Sequence, residues 1–145
     1  MSRFAAPVMI AQGFGRIINI TTSLSTMQRR ENSPYGVSKT AIEAETLIWA
    51  QDLAGTGVTC NSLIPGGAVN TDFVSAREKE EAAAAGRLLL EADVMQAPVV
   101  WLASQHSDGV TGKRFVGKLW PRDASIEEAQ QAALEASVLL PPDRA

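Results

Sequence analysis

The sequence is poor in cysteine and histidine, with one of each among 145 residues, and it contains no long hydrophobic run. A single cysteine excludes an internal disulfide and is typical of a reducing compartment, so we expect a cytoplasmic protein. Neither residue belongs to a ligand cluster, so no metal centre is expected. The longest apolar runs, 4–11 and 97–103, are far shorter than the roughly 20 residues that a membrane-spanning helix needs. The sequence therefore predicts no association with a membrane.

Basic residues are also in the minority. Thirteen Lys and Arg residues stand against 16 Asp and Glu residues, and the formal net charge is −3. Nucleic-acid-binding proteins usually carry a basic surface, so nucleic acid is not an expected partner. The remaining composition, 46% hydrophobic and 20% charged, is typical of a folded globular chain, and the length allows one domain with a sizeable core.

Short β-branched segments alternate with helical ones along the chain. Residues 16–21 and 58–64 have the composition of buried parallel strands, and 114–117 predicts a short third strand. Helical patterns lie between and beside them, over 34–54, 71–91 and 93–104. This alternation favours an α/β fold in which helices cover a parallel sheet.

The longest predicted helix, 34–54, begins with Ser33 as a cap and Pro34 in the first turn. Gly55 ends it. Apolar residues recur along it at helical spacing, and we expect this stripe to pack against the sheet. The stripe consists of Val37, Ala41, Ala44, Leu47 and Ile48.

Tyr35 and Lys39 stand four residues apart at the start of this helix, which places both side chains on one face. An ammonium close to a tyrosine stabilises the phenolate, and such a pair can act as a tuned acid or base. The alternative is that Tyr35 is an amphipathic residue at the helix start and Lys39 is a solvated charge. On this pair alone the structural interpretation is favoured.

The surrounding segments change that balance. The run GRIINITT at 15–22 is followed, thirteen residues after Thr22, by YGVSK at 35–39. Further along come NSLIPG at 61–66, Thr71-Asp72, WLAS at 101–104 and VTG at 110–112. In this order and spacing the set resembles the short-chain dehydrogenase/reductase family, over about residues 7–119.

The resemblance implies an oxidoreductase that uses NAD or NADP and acts on a small carbonyl or alcohol substrate. Tyr35 matches the residue that exchanges a proton with the substrate oxygen, and Lys39 matches the lysine that assists it and binds the nicotinamide ribose. Thr22 falls where the family usually has a serine that orients the substrate carbonyl. Ser23 is the alternative for this role.

Two further segments are assigned to the cofactor by the same resemblance. Pro65-Gly66 resembles the turn whose backbone meets the nicotinamide carboxamide, and Thr71 resembles the threonine that closes the segment over the cofactor. Val69 would lie in the same segment. Because Gly67 is an extra residue relative to the family pattern, its neighbour Ala68 is the alternative to Val69. The alternative is a plain turn that ends a strand.

A doubly wound dinucleotide-binding fold has a glycine-rich turn after its first strand, and this sequence has none. We therefore expect 1–120 to form the C-terminal part of a Rossmann-like domain without its N-terminal βαβ half. Residues 121–145 are expected to form a tail with a short helix after a capping box at 125–128. Dinucleotide affinity should be poor.

Two expectations concern partners. Family members commonly form oligomers through the helix that carries the tyrosine, so 34–54, with Trp49, is the candidate homo-oligomer interface. The alternative to an enzyme is a truncated, non-catalytic half-domain with only a structural or partner-dependent role.

Overall fold

The structure is a computed structural model and describes residues 2–140. The helices are α1 (Ser2–Gln12), α2 (Leu24–Met27), α3 (Tyr35–Asp52), α4 (Ala76–Ala84), α5 (Gln96–Ala103) and α6 (Ile126–Ala133). The strands are β1 (Gly15–Ile20), β2 (Val58–Ile64), β3 (Arg114–Val116) and β4 (Leu134–Glu135). Short 3₁₀ segments lie at Ala92–Met95, Gln105–Ser107 and Gly117–Leu119. None of the helices within 2–140 combines the length and the apolar character needed to cross a membrane.

The four strands form one sheet in the order β1-β2-β3-β4. The first three strands are parallel, and β4 runs antiparallel to β3. Helices α2 and α3 connect β1 to β2, and α4 and α5 connect β2 to β3. The predicted α/β class with a parallel, Rossmann-like sheet is confirmed.

Helices cover both faces of the sheet. On one face Leu63 and Phe115 pack with Trp101 and Leu102 of α5 and with Ala133 of α6. On the other face the strands contribute Ile17, Val58 and Cys60, which pack with Leu53, Trp49 and Met9. Strand β2 lies between its two parallel neighbours, so all seven of its residues are buried.

The predicted inner stripe of the long helix is wrong. Val37 is 66% exposed and Ile48 is 53% exposed, whereas the buried residues of α3 are Gly36, Glu43 and Thr46. The reason lies in the sheet, which presents polar side chains to this helix. Hydrogen-bonding partners on α3 therefore turn inward, and the predicted stripe is exposed at Val37, Ala41 and Ile48 and only half-buried at Ala44 and Leu47.

Three helix boundaries also differ from expectation. The helix predicted over 93–104 is α-helical only over Gln96–Ala103, after the 3₁₀ segment Ala92–Met95. Of the helix predicted over 71–91, only Ala76–Ala84 is helical, because Ser75 opens it with a capping box and Gly86 adopts a φ of +63° just after it. The cap predicted at Ser33 is wrong as well. Helix α3 starts at Tyr35, and Pro34 occupies the N-cap position without a side-chain bond.

The tail folds back onto the sheet. The capping box predicted at Ser125 and Glu128 is confirmed, and the helix that it opens buries Ala129 and Ala133. Strand β4 was not predicted, because two residues are too few to show an alternating pattern. Residues 141–145 of the predicted tail lie outside the described residues.

The burial of Cys60 leads to the first prediction. Its side chain is fully buried in β2, and burial, with a smaller contribution from the charge of Glu45, raises the pKa of the thiol to about 12. A thiol-specific reagent at about pH 8 attacks only thiolates that it can reach. We expect the folded chain to stay unlabelled and the denatured chain to take up one equivalent.

The matched control is Ser38→Cys, which places a second thiol at an exposed position of α3. This variant should take up one equivalent at once without denaturant. Rapid labelling of the wild-type chain under native conditions would show that β2 is not buried in solution.

Candidate active site

Helix α3 presents Tyr35 and Lys39 at its N-terminal end. The Lys39 ammonium lies 5.7 Å from the centre of the Tyr35 ring. The same ammonium donates a hydrogen bond of 2.8 Å to the carbonyl oxygen of Ile20, the last residue of β1. Lys39 therefore lies between the tyrosine and the carboxyl end of the first strand.

A close contact between two helices sets the entry to α3. A Cβ atom added at Gly36 would overlap the backbone carbonyl of Met27, the last residue of α2. The Gly36 amide also donates to the Asn32 carbonyl at 2.7 Å. Only a residue without a side chain lets α2 approach the helix beside Tyr35 this closely.

The two candidate hydroxyls after β1 have different environments. Ser23 is the N-cap of α2: its hydroxyl accepts from the Thr26 amide at 3.3 Å and lies 2.9 Å from the Thr26 hydroxyl. Thr22 is half-buried, and its backbone carbonyl accepts a hydrogen bond of 3.1 Å from Arg114. The Ser23 hydroxyl is thus engaged in capping, while no hydrogen bond found within residues 2–140 uses that of Thr22.

The segment predicted to meet the nicotinamide lies at the same edge of the sheet. The Thr21 amide donates to the Leu63 carbonyl at 3.1 Å, so β1 and β2 end side by side. Pro65 and Gly66 follow at once. A Cβ atom at Gly66, whose φ is +87°, would stand 2.6 Å from a methyl group of Val116, so this turn requires glycine.

Backbone hydrogen bonds fix the chain beyond this turn. Val69 forms a bridge with Leu90, and the amide of Leu90 donates to Ala68 at 2.8 Å. The Thr71 amide donates to the Val69 carbonyl at 2.8 Å. Val69 and Thr71 are half-buried members of this one ordered loop.

Sequence reasoning missed Phe73. Its ring lies 5.7 Å from the ring of Tyr35 at an angle of 42°, although the residue is 78% exposed. The loop after β2 therefore reaches the catalytic candidate. The feature of the sequence that could have indicated this contact is the aromatic residue two positions after Thr71.

A buried polar cluster below the site was also missed. Glu43 accepts hydrogen bonds from the Thr21 hydroxyl and from the Arg114 guanidinium, and Ser62 lies 3.5 Å from its second oxygen. Glu43 follows Tyr35 and Lys39 at successive intervals of four residues, which places all three on one side of the helix. That spacing was the signal for its position.

The other candidates lie away from this edge. His106 is exposed in a 3₁₀ turn, and within residues 2–140 no three His, Cys, Asp or Glu side chains are grouped as metal ligands. Trp101 packs edge-on against Phe115. A cavity of about 470 Å³ lies between α5 and the tail, beside Trp101 and Trp120, and does not include Tyr35.

The contact at Gly36 gives the second prediction. Gly36→Ala forces α2 away from α3, and we expect a loss of roughly 1–3 kcal/mol in the free energy of unfolding, as for other overpacked positions. Urea denaturation followed by circular dichroism measures this loss. Ser38→Ala, at an exposed position of the same helix, is the control and should change stability little. Equal stability of Gly36→Ala and the wild type would contradict the close packing.

Comparison with known proteins extends these observations. Residues 1–117 match the family model described as enoyl-(acyl carrier protein) reductase. The chain is 41% identical over 120 residues to a short-chain type dehydrogenase/reductase from Picea abies, covering 77% of this chain and 43% of that protein. It is 35% identical to a 2-dehydro-3-deoxy-D-gluconate 5-dehydrogenase from Escherichia coli K12, covering 77% of this chain and 47% of that protein.

Solved structures show the same architecture. A gluconate 5-dehydrogenase from Burkholderia cenocepacia, in complex with NADP and tartrate, matches with a TM-score of 0.66 and 29% identity. The match covers 79% of this chain and 48% of that one. The chain thus spans about half the length of the curated relatives and solved structures that it matches.

Proposed function

Because the chain belongs to the short-chain dehydrogenase/reductase family, we propose that it carries the proton-transfer centre of an NAD(P)-dependent oxidoreductase. The observation that supports this most directly is the position of Lys39 between the Tyr35 ring and the end of β1. The substrate class is a small molecule with a carbonyl or alcohol group. We also infer a cytoplasmic location, supported by the single cysteine.

Each residue has a role that follows from its chemistry. The Tyr35 hydroxyl gives a proton to the substrate oxygen in reduction and takes it back in oxidation. The Lys39 ammonium stabilises the tyrosinate that this step leaves. Thr22 orients the substrate carbonyl, because its hydroxyl can donate a hydrogen bond to the carbonyl oxygen. The Ser23 hydroxyl is not used for this role, because it caps α2. Phe73 shields the Tyr35 ring on one side.

The donor set at this edge fits the nicotinamide end of NAD or NADP. A lysine ammonium has three N–H donors, and the Ile20 carbonyl engages one, which leaves two for ribose hydroxyls. Pro65 and Gly66 lie at the carboxyl ends of the strands, where open α/β sheets bind ligands. Val69 and Thr71 lie in the loop that follows this turn and would line the same side of the cofactor. When bound, the cofactor supplies or accepts the hydride.

The rest of the dinucleotide lacks a matching element in these 145 residues. No G-x-G-x-x-G turn leads from a strand into a helix in this sequence, so the pyrophosphate has no helix N-terminus of that kind. We propose that this chain by itself binds NAD or NADP weakly.

The third prediction concerns the hydroxyl groups. Tyr35→Phe removes the proton donor but keeps the ring, so kcat should fall by about 100-fold or more. Thr22→Ser should keep most of the activity, whereas Thr22→Val should lose it. Ser23→Ala is the matched control and should affect turnover far less. Reduction of a panel of small ketones, followed by NADPH absorbance, measures these effects.

Undiminished turnover in Tyr35→Phe would overturn the assignment of the proton donor. Calorimetric titration with NADH and NADPH provides the independent check. If the wild-type chain binds neither dinucleotide, the enzymatic proposal fails for this polypeptide.

A non-catalytic half-domain is the second candidate. Its support is the coverage of about half of each relative, together with the position of β1 at the edge of the sheet formed by residues 2–140. An edge strand presents unpaired backbone groups that can pair with a further strand. In that case dinucleotide binding should appear only when a second polypeptide completes the sheet.

We further propose that helix α3, the predicted interface 34–54, packs against a second copy of the chain. Val37, Ala41 and Ile48 form an exposed apolar stripe on it, and such stripes commonly mark protein contacts. Trp49 contributes less than expected, because it packs inward against the core of the sheet.

The fourth prediction tests this interface. Val37→Glu combined with Ile48→Glu introduces two like charges into the stripe, which repel those of the second copy, and should raise the dissociation constant of the oligomer by at least about 10-fold. Size-exclusion chromatography with light scattering measures the mass. Ser38→Glu adds a charge beside the stripe and is the control. An unchanged mass in the double variant would reject this interface.

A further inference from the structure

Arg114 is an arginine with almost no exposure to solvent, and its donors converge on the end of β1. Arg114 and Glu43 are each 1% exposed. One terminal nitrogen of Arg114 donates to the Glu43 carboxylate and lies 3.3 Å from the Thr21 hydroxyl. The other donates to the Thr22 carbonyl at 3.1 Å, and Nε donates to Glu135 at 2.7 Å.

The strand register explains how this side chain reaches the site. Asn19, Ser62 and Arg114 are aligned across β1, β2 and β3, so their side chains lie on the face of the sheet that α3 covers. Asn19 donates to Thr46 of α3 at 2.9 Å, and Ser62 lies next to Glu43. Arg114 extends along this face to the residues that follow β1.

We propose that Arg114, held by Glu43, is a positioning residue that fixes the main chain at Thr22 relative to helix α3. This inference rests on the proposed function, in which Thr22 orients the substrate carbonyl. Glu43 belongs to the same helix as Tyr35 and Lys39, and Arg114 connects it to the carbonyl of Thr22. The pair thereby sets the separation between the orienting hydroxyl and the proton donor.

Two cations hold the strand end from different elements. Lys39 of α3 binds the carbonyl of Ile20, and Arg114 of β3 binds the carbonyl of Thr22. Thr21, between them, is held through its hydroxyl by Glu43 and through its amide by Leu63. Three consecutive residues are therefore fixed by hydrogen bonds just where the chain must present a catalytic side chain. A shift of about 1 Å at such a position can reduce turnover by about 100-fold.

Substitutions separate this role from stability. Removing one partner of a buried ion pair leaves an uncompensated charge and destabilises the fold, whereas replacing both by apolar residues often does not. We therefore compare Arg114→Met/Glu43→Met with Arg114→Lys, which keeps the charge but lacks the planar fork that reaches several acceptors. Arg122→Met is the matched control, because it removes an exposed arginine that pairs with Asp93.

The first readout is steady-state kinetics. In the double variant and in Arg114→Lys we expect kcat to fall by roughly 10-fold to 100-fold. The KM for the dinucleotide should change by less than about 2-fold, because Lys39 and the Pro65 turn keep their places. Arg122→Met should leave both constants unchanged. Thermal unfolding identifies which variants are folded. If the double variant does not fold, the kinetic comparison is made with Arg114→Lys alone.

The second readout does not need activity. The carbonyl-carbon NMR signal of Thr22 reports the hydrogen bond from Arg114, and it should shift in both Arg114 variants but not in Arg122→Met. A folded double variant with wild-type kcat, or an unmoved Thr22 signal, overturns the inference. If the wild-type chain shows no turnover, the proposed function fails, and the Thr22 signal alone still decides whether Arg114 holds the strand end.

Discussion

Hydrogen bonds and one buried ion pair hold helix α3 against the sheet in place of a continuous apolar seam. Asn19, Ser62 and Arg114 face Thr46 and Glu43 across this boundary. Burying such groups costs several kcal/mol per ion unless each finds partners, and here each does. Hydrogen bonds are directional, whereas apolar contacts are not, so this boundary defines the position of the helix along the strands. The position of Tyr35 relative to Thr21 and Thr22, which follow β1, depends on it.

The same boundary explains what the helix presents to solvent. Because polar side chains occupy much of the inner side of α3, part of its apolar stripe lies on the outer side, where Val37, Ala41 and Ile48 are exposed. An exposed apolar stripe is unfavourable in water unless another surface covers it. The arrangement that orders the catalytic candidates inside the chain therefore also leaves apolar residues exposed on the outer side of α3.

Two glycines allow the backbone to close around the site. Gly36 lets α2 approach α3, and Gly66 lets the turn after β2 pack against Val116. These contacts bring the residues after β1 and after β2 to one edge of the sheet. The loop beyond Gly66 is fixed by its backbone bonds to Leu90 and carries Phe73 to the Tyr35 ring. The candidate site is thus assembled at the carboxyl edge, where parallel sheets bind ligands.

The sequence alone determined the three parallel strands, the extent of α3 to within two residues, the tail helix, and the tyrosine–lysine pair with its family. These features depend on residues that are close together in the sequence, so they can be predicted from local composition and from the spacing of short motifs. The inward face of α3, the contact of Phe73 with Tyr35 and the pairing of Glu43 with Arg114 were decided only by the tertiary structure. Glu43 and Arg114 are 71 residues apart in the sequence. Helical periodicity predicts which positions of a helix are apolar, but it does not predict which polar side chains the sheet places opposite them. Partner choice across that distance depends on the register of β1, β2 and β3, which no local pattern encodes.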